Sequence, residues 1–167
     1  MPRIEPLTRQ QLDAELNQAI DHAVASRVLS STVPVQVWAH CPPAAQAWLG
    51  LLQVMQDTAQ LSERERELVR LKIASITQCQ ACQLARKSDT VTDEDIACLQ
   101  GDSEHFSARE NAALYFAHLF AADYLAIDDA VYQRLQAHFS SAEIVELNMY
   151  CALMLAGGRM TYVQKAY

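Results

Sequence analysis

Cys79-Gln80-Ala81-Cys82 is the segment whose residue types and spacing point most directly to chemistry. Sulfurs three residues apart at the start of a helix can close a small disulfide ring, and the helix N-terminus stabilises a thiolate. Metal sites, redox pairs and coincident core thiols all produce this spacing. A closed zinc site needs four ligands, usually including a second paired set, whereas Cys41, Cys98 and Cys151 stand singly on other segments. A thioredoxin-like site needs flanking strands, and this sequence supplies helices. Polar Gln78 and Gln80 beside the pair suggest partial accessibility, and accessible thiols are the reactive ones. Cys98, between Ile96 and Leu99, and Cys151, in the apolar run 150–155, read as core residues. Cys41, before Pro42-Pro43, reads as a packed small side chain ahead of an exposed thiol. His118 lies in a mainly apolar stretch and reads as a hydrogen-bonded core residue ahead of a catalytic one. His22, His40, His105 and His138 read as surface or interface residues.

Helices must position these groups. All five prolines fall before position 44 and the chain holds only four glycines, so most of it lacks helix breakers. The 26 Ala, 19 Leu and 15 Gln outweigh the 18 β-branched Val and Ile, and no alternating strand pattern appears. Five Ser or Thr residues are followed three positions later by an acid or amide, the reciprocal cap that opens a helix. These are Thr8 with Gln11, Ser62 with Glu65, Thr92 with Asp95, Ser107 with Glu110 and Ser140 with Glu143. They predict helices near 9–28, 63–77, 93–100, 108–124 and 141–156, joined by helices near 43–58 and 128–138 and a short one over 79–87. The reading is all-α, about eight helices in one bundle, with residues 1–40 as an N-terminal helix and connecting arm and 41–167 as the helical core. Residues 30–43 are expected to cross the helical body extended. Gly157-Gly158 is expected to end the last helix, kink it, or admit a neighbouring backbone.

The charge balance narrows the function. Thirteen basic against 20 acidic residues give a net charge of −7, which offers no broad field to nucleic acid or an anionic membrane. Charges interrupt residues 1–30, so no export signal is read there and a cytoplasmic location is expected. No apolar run approaches the roughly 20 residues that span a bilayer. An odd cysteine count in such a chain argues against a structural disulfide framework.

The run from Arg66 to Arg86, RELVRLKIASITQCQACQLAR, resembles the carboxymuconolactone decarboxylase superfamily and its alkyl hydroperoxidase D (AhpD)-like branch. Leu61-Ser62, Arg66-Glu67-Leu68, the glutamate twelve residues before the first cysteine and the cysteine pair carry the likeness. It extends more weakly through Phe106-Ser107-Ala108-Arg109-Glu110 and from His138-Phe139-Ser140 to Glu146-Leu147, so that roughly residues 40–165 are covered. The resemblance implies an all-helical homotrimer or homohexamer that reduces peroxides or disulfides in antioxidant defence. No bound cofactor or metal is implied, and an external dithiol of the lipoamide type, free or on a lipoyl-carrying protein, would restore the enzyme. In this pattern Cys82 attacks, Cys79 resolves, and Glu67 belongs to a proton relay. The family histidine four residues after the second cysteine is Arg86 here, and the histidine that AhpD carries between the cysteines is Ala81. Arg86 could favour a thiolate by charge, but its guanidinium cannot pass a proton on. A substitute would come from His118, His105, Tyr115, or Glu67 acting through water. The resemblance also admits acid/base lactone decarboxylation without a thiol, or a non-catalytic redox-sensing helical oligomer.

Overall fold

A computed structural model of the protein describes residues 1–100 and 104–167, apart from the side chains of Gln80, Ala81 and Gln100. Among the described residues it is all-helical, with nine α-helices and no strand. They are α1 (Ala14–Ala25), α2 (Val33–Trp38), α3 (Pro42–Asp57), α4 (Glu63–Ile76), α5 (Gln80–Leu84), α6 (Asp93–Ala97), α7 (Ala108–Ala122), α8 (Asp129–Gln136) and α9 (Ser141–Gln164).

All five reciprocal caps involve the expected residue pairs, with Ser140 and Glu143, for example, exchanging hydrogen bonds at 2.7 and 3.3 Å. The pair at Thr8 opens only a 3-10 turn, because Asp13 takes the N-cap of α1 by accepting from the Leu16 N–H at 2.7 Å. Residues 30–43 are not extended. Pro34 sits in the first turn of α2, where a missing N–H costs nothing, and Val35 and Val37 turn inward. The sixth helix ends earlier than expected as an α-helix and tightens into a 3-10 turn at 98–100. The last helix does not stop at 156 but runs through both glycines to Gln164. An added Cβ at Gly158 would lie 3.2 Å from Thr77 Oγ1, so the glycine admits the end of α4.

The chain forms two compact units, residues 1–59 with 159–167 and residues 60–158. In the first, Leu16, Ile20, Val35 and Leu49 of α1, α2 and α3 form the core. In the second, Val69 and Ile73 of α4 join Phe116, Leu135, Leu147 and Cys151 of α7, α8 and α9. Leu68 and Leu71, on another face of α4, join Val91, Leu99, Phe106 and Leu114 in a smaller cluster. The central helix α4 is thereby covered on several faces, although its own sequence is rich in charge.

Arg64, Glu65, Glu67 and Arg70 of α4 all stand in ion pairs. The Arg109 guanidinium on α7 donates to Glu65, to Glu143 at 2.6 Å and to the His138 carbonyl, and lies 3.9 Å over the Phe139 ring. Arg64 grips Asp95 at 2.7 and 2.8 Å and Glu110 at 2.7 Å, which holds the Asp95 carboxyl far below its ordinary range. Glu146 on α9 accepts from the backbone N–H of Gln60 at 2.7 Å and of Leu61, fixing the approach to α4. The weaker segments of the family likeness are therefore the ion pairs and caps that orient α4.

Candidate active site

The site is built on one stripe of α4. Glu67, Arg70 and Ala74 fall three and four residues apart, and this spacing turns them to the same side. Glu67 and Arg70 are 2% and 4% exposed, and pair through two hydrogen bonds of 2.7 Å. The remaining donors of Arg70 reach the next segment, Nη1 donating to the Cys82 carbonyl at 2.6 Å and Nη2 to the Ala85 carbonyl at 2.7 Å. The Lys87 backbone N–H donates to Glu67 Oε1 at 3.1 Å. Below them, the Ala74 carbonyl accepts from the Cys79 N–H at 3.3 Å and from Gln83 Nε2 at 3.2 Å. A buried glutamate–arginine pair thus anchors the short helix that carries the cysteines.

Between α4 and α5 the chain reverses through Gln78 in the left-handed region, φ 54°. Together with the Cys79-to-Ala74 bond this is the αL helix ending in which glycine is usual. A side chain there costs about 1 kcal/mol, which the surrounding contacts offset.

Cys79 and Cys82 are joined as a disulfide with Cα atoms 5.2 Å apart. Cys79 has 0% exposure, whereas Cys82 is half-buried. Gln78 is exposed as its polarity suggests, while the side chain of Gln80 lies outside the described residues. Cys151 is buried, and burial pushes its thiol well up, so it is inert. Cys98 is only half-buried beside the smaller cluster. Cys41 corrects the sequence reading. It is exposed at the N-cap of α3, because the helix begins with Pro42-Pro43 on the surface and leaves the preceding side chain outside.

The structure does not gather all the expected residues. Arg86 is exposed and donates to the Gln83 carbonyl at 2.6 Å, so it closes the end of α5. His118 is also exposed, since α7 turns Ala113, Phe116, Ala117 and Leu119 inward, which corrects the expectation of a core histidine. Among the described residues it makes no hydrogen bond to the cysteine pair. His105 is held by Asp95 at 2.7 Å, and Tyr115 lies on the surface under the Arg134 guanidinium at 4.9 Å. Two residues unread in the sequence take their place. Arg70 could have been found from its spacing to Glu67, one helical turn away on a face that must be covered. Lys87 carried no such signal. Its ammonium is lowered to about 8, first by burial and then by repulsion from Arg70, with Glu67 opposing both. Tyr150 of α9 feels the same Arg70 and Glu67 charges and is pushed up to about 12 by burial.

No family model and no curated protein sequence matches the chain. Solved structures do. A protein from Ralstonia eutropha JMP134, described as an alkylhydroperoxidase AhpD core and uncharacterised peroxidase-related protein, is 18% identical with a TM-score of 0.78, covering 99% of this chain and 91% of that one. A protein of unknown function from Agrobacterium tumefaciens, a candidate antioxidant defence protein AhpD, is 21% identical with a TM-score of 0.70, covering 78% and 94%. The chain has the AhpD-like fold. The debrominase Bmp8 is similar to it as well, at 16% identity and a TM-score of 0.81 over 97% of this chain and 89% of that one. A cysteine-to-alanine variant of that debrominase, in complex with 2,3,4-tribromopyrrole, gives a TM-score of 0.83 at 15% identity, over 98% and 90%. In this AhpD-like chain the glutamate, the arginine and the cysteine pair occupy one continuous hydrogen-bonded cluster.

Proposed function

We propose that the protein is a thiol-dependent peroxidase or disulfide oxidoreductase of the AhpD-like kind, serving antioxidant defence. The observation that carries this reading is the unequal burial of two joined sulfurs, Cys79 enclosed and Cys82 reachable. In the reduced protein the Cys82 thiolate attacks an oxygen of a peroxide or a sulfur of a small disulfide. Cys79 then displaces the group left on Cys82, and the pair closes. An external dithiol of the lipoamide type, free or on a lipoyl-carrying protein, reopens it by two thiol–disulfide exchanges. The AhpD-like neighbours support the reading, and their low identity leaves the oxidant to experiment.

The same proposal includes assembly as a homotrimer or homohexamer. Val145, Met149, Ala152 and Ala156 form an exposed apolar stripe on α9, which supports a face covered by another copy.

The test is dihydrolipoamide-dependent consumption of an organic hydroperoxide, a small disulfide and, because the debrominase shares the fold, a brominated pyrrole. Wild-type protein is expected to consume the peroxide or the disulfide, and Cys82→Ser to fall to background. Full turnover in Cys82→Ser overturns the proposal. Lactone decarboxylation that survives replacement of both cysteines would establish the acid/base alternative, against which the engagement of Glu67 by Arg70 weighs. A pair that stays reduced under mild peroxide would favour the non-enzymatic helical oligomer instead.

A further inference from the structure

The chain has two tryptophans, and both line one cavity in the first compact unit. Trp38 ends α2 and Trp48 lies within α3, with ring centroids 5.7 Å apart and ring planes inclined at 69°. The corner they make opens onto a cavity of about 380 Å³, a volume within the range of small-molecule sites. Buried Val37 and Ala45 contribute its deepest wall, and Met160 and Gln164 from the end of α9 complete the lining. Trp38 Nε1 donates to Gln164 Oε1 at 2.8 Å, so the corner is held in place without a ligand. The cavity shares no lining residue with the cysteine pair.

Two observations define what fits there. The first is charge. Among the described residues no carboxylate, lysine or arginine lines the cavity, so an ion of either sign would be desolvated without a partner. The adjacent start of α3 does not help an anion. Pro42 and Pro43 have no N–H, and the N–H groups of Ala44 and Ala45 both donate to the Cys41 carbonyl at 3.1 Å. The second is shape and polarity. Two half-buried indoles at a steep angle let a flat ring stack on one while its edge meets the face of the other. The Trp48 N–H and the Gln164 amide nitrogen have no acceptor among the described residues, so both offer a donor to an oxygen on such a ring.

We propose that this tryptophan corner binds a neutral, planar aromatic molecule of about two or three fused rings that carries an oxygen acceptor. Cys41 and His40 lie exposed at its mouth, with His40 Nε2 donating to the Glu5 carbonyl at 2.9 Å. The site is separate from the thiol chemistry proposed above and does not depend on it.

The probe is coumarin, titrated into full-length protein while tryptophan emission is followed. Both fluorophores line the cavity, so the signal reports on this site. Saturable quenching is expected, half complete between about 10 μM and 1 mM, the range open to a ligand of this size. Ala44 is exposed and lines the cavity, and Ala44→Leu should fill it and weaken binding at least about tenfold. Trp48→Phe, which removes one donor and serves if the leucine variant does not fold, should weaken it about fivefold. Iodoacetamide should alkylate Cys41 more slowly at saturating coumarin, as read by peptide mapping. In equilibrium dialysis the anion 1-naphthoate and the cation N-methylquinolinium should bind more weakly than coumarin. Quenching that never saturates, undiminished affinity in either variant, unchanged Cys41 alkylation at saturation, or tighter binding of a charged probe overturns the proposal. Emission that ignores coumarin but changes with protein concentration places a second copy of the chain over the corner and overturns it as well.

Discussion

Cys79 and Cys82 are alike in the sequence and unlike in the fold, where one is enclosed and the other reachable. Cys79→Ser is accordingly expected to leave a Cys82 that alkylates quickly and is trapped by dimedone after peroxide. Cys82→Ser should leave a Cys79 that alkylates only in denaturant, and rapid native alkylation there would contradict this. Glu67 lies under α5 against Arg70, so Glu67→Gln leaves a buried guanidinium short of its counter-charge. The expected cost is about 3 to 5 kcal/mol in urea unfolding, because an unpaired buried charge loses the attraction that offset its desolvation. The pair and Glu67 were legible as residues because their spacing along the chain is itself the signal. Arg70, Lys87, His118 and Cys41 were not, since what each does depends on which element covers it. A lone arginine on a charged helix reads as solvated until a carbonyl-bearing turn folds over it.

Helix α4 gathers these side chains because its caps and ion pairs fix its ends while its apolar faces bind two clusters. Ser62→Ala removes the hydrogen bond that Glu65 N–H donates to it and should cost about 1 kcal/mol. The contact between Gly158 and Thr77 lies just before the left-handed Gln78 turn, so a large side chain there presses on the end of α4. Gly158→Leu is expected to lower stability by about 1 to 3 kcal/mol, and an unchanged thermal midpoint would contradict the close approach. Cap chemistry made the starts of most helices readable. Their ends were less so. Asp13 displaced the cap expected at Thr8, and α9 continues through two glycines, the second of which leaves room for the Thr77 side chain. The helix α2 was missed because Pro34 and four residues of β-branched or aromatic type suggest an extended arm, whereas burial of Val35 and Val37 rewards a turn of helix.

At the scale of the whole chain, composition indicated an all-helical protein, and among the described residues no helix is long and apolar enough to cross a membrane. Several carboxylates are held below their ordinary values by arginines, which sets the response to acid. Glu143 is lowered from 4.5 to about 2, chiefly by its bond from Arg109. Its folded value lies below its unfolded one, so the stability it adds is complete above about 4.5 and is lost as the pH falls toward 2. Urea midpoints should therefore drop across that interval, and Glu143→Gln should flatten the drop. The account rests in the end on whether this molecule opens and closes one sulfur pair. The most direct measurement is the intact mass of the protein alkylated when reduced, after mild peroxide, and after subsequent dihydrolipoamide, with peptide mapping of Cys79 and Cys82. We expect two alkylation sites to vanish with peroxide at those positions and to return with the dithiol. Thiols at Cys79 and Cys82 that remain free throughout would contradict the account.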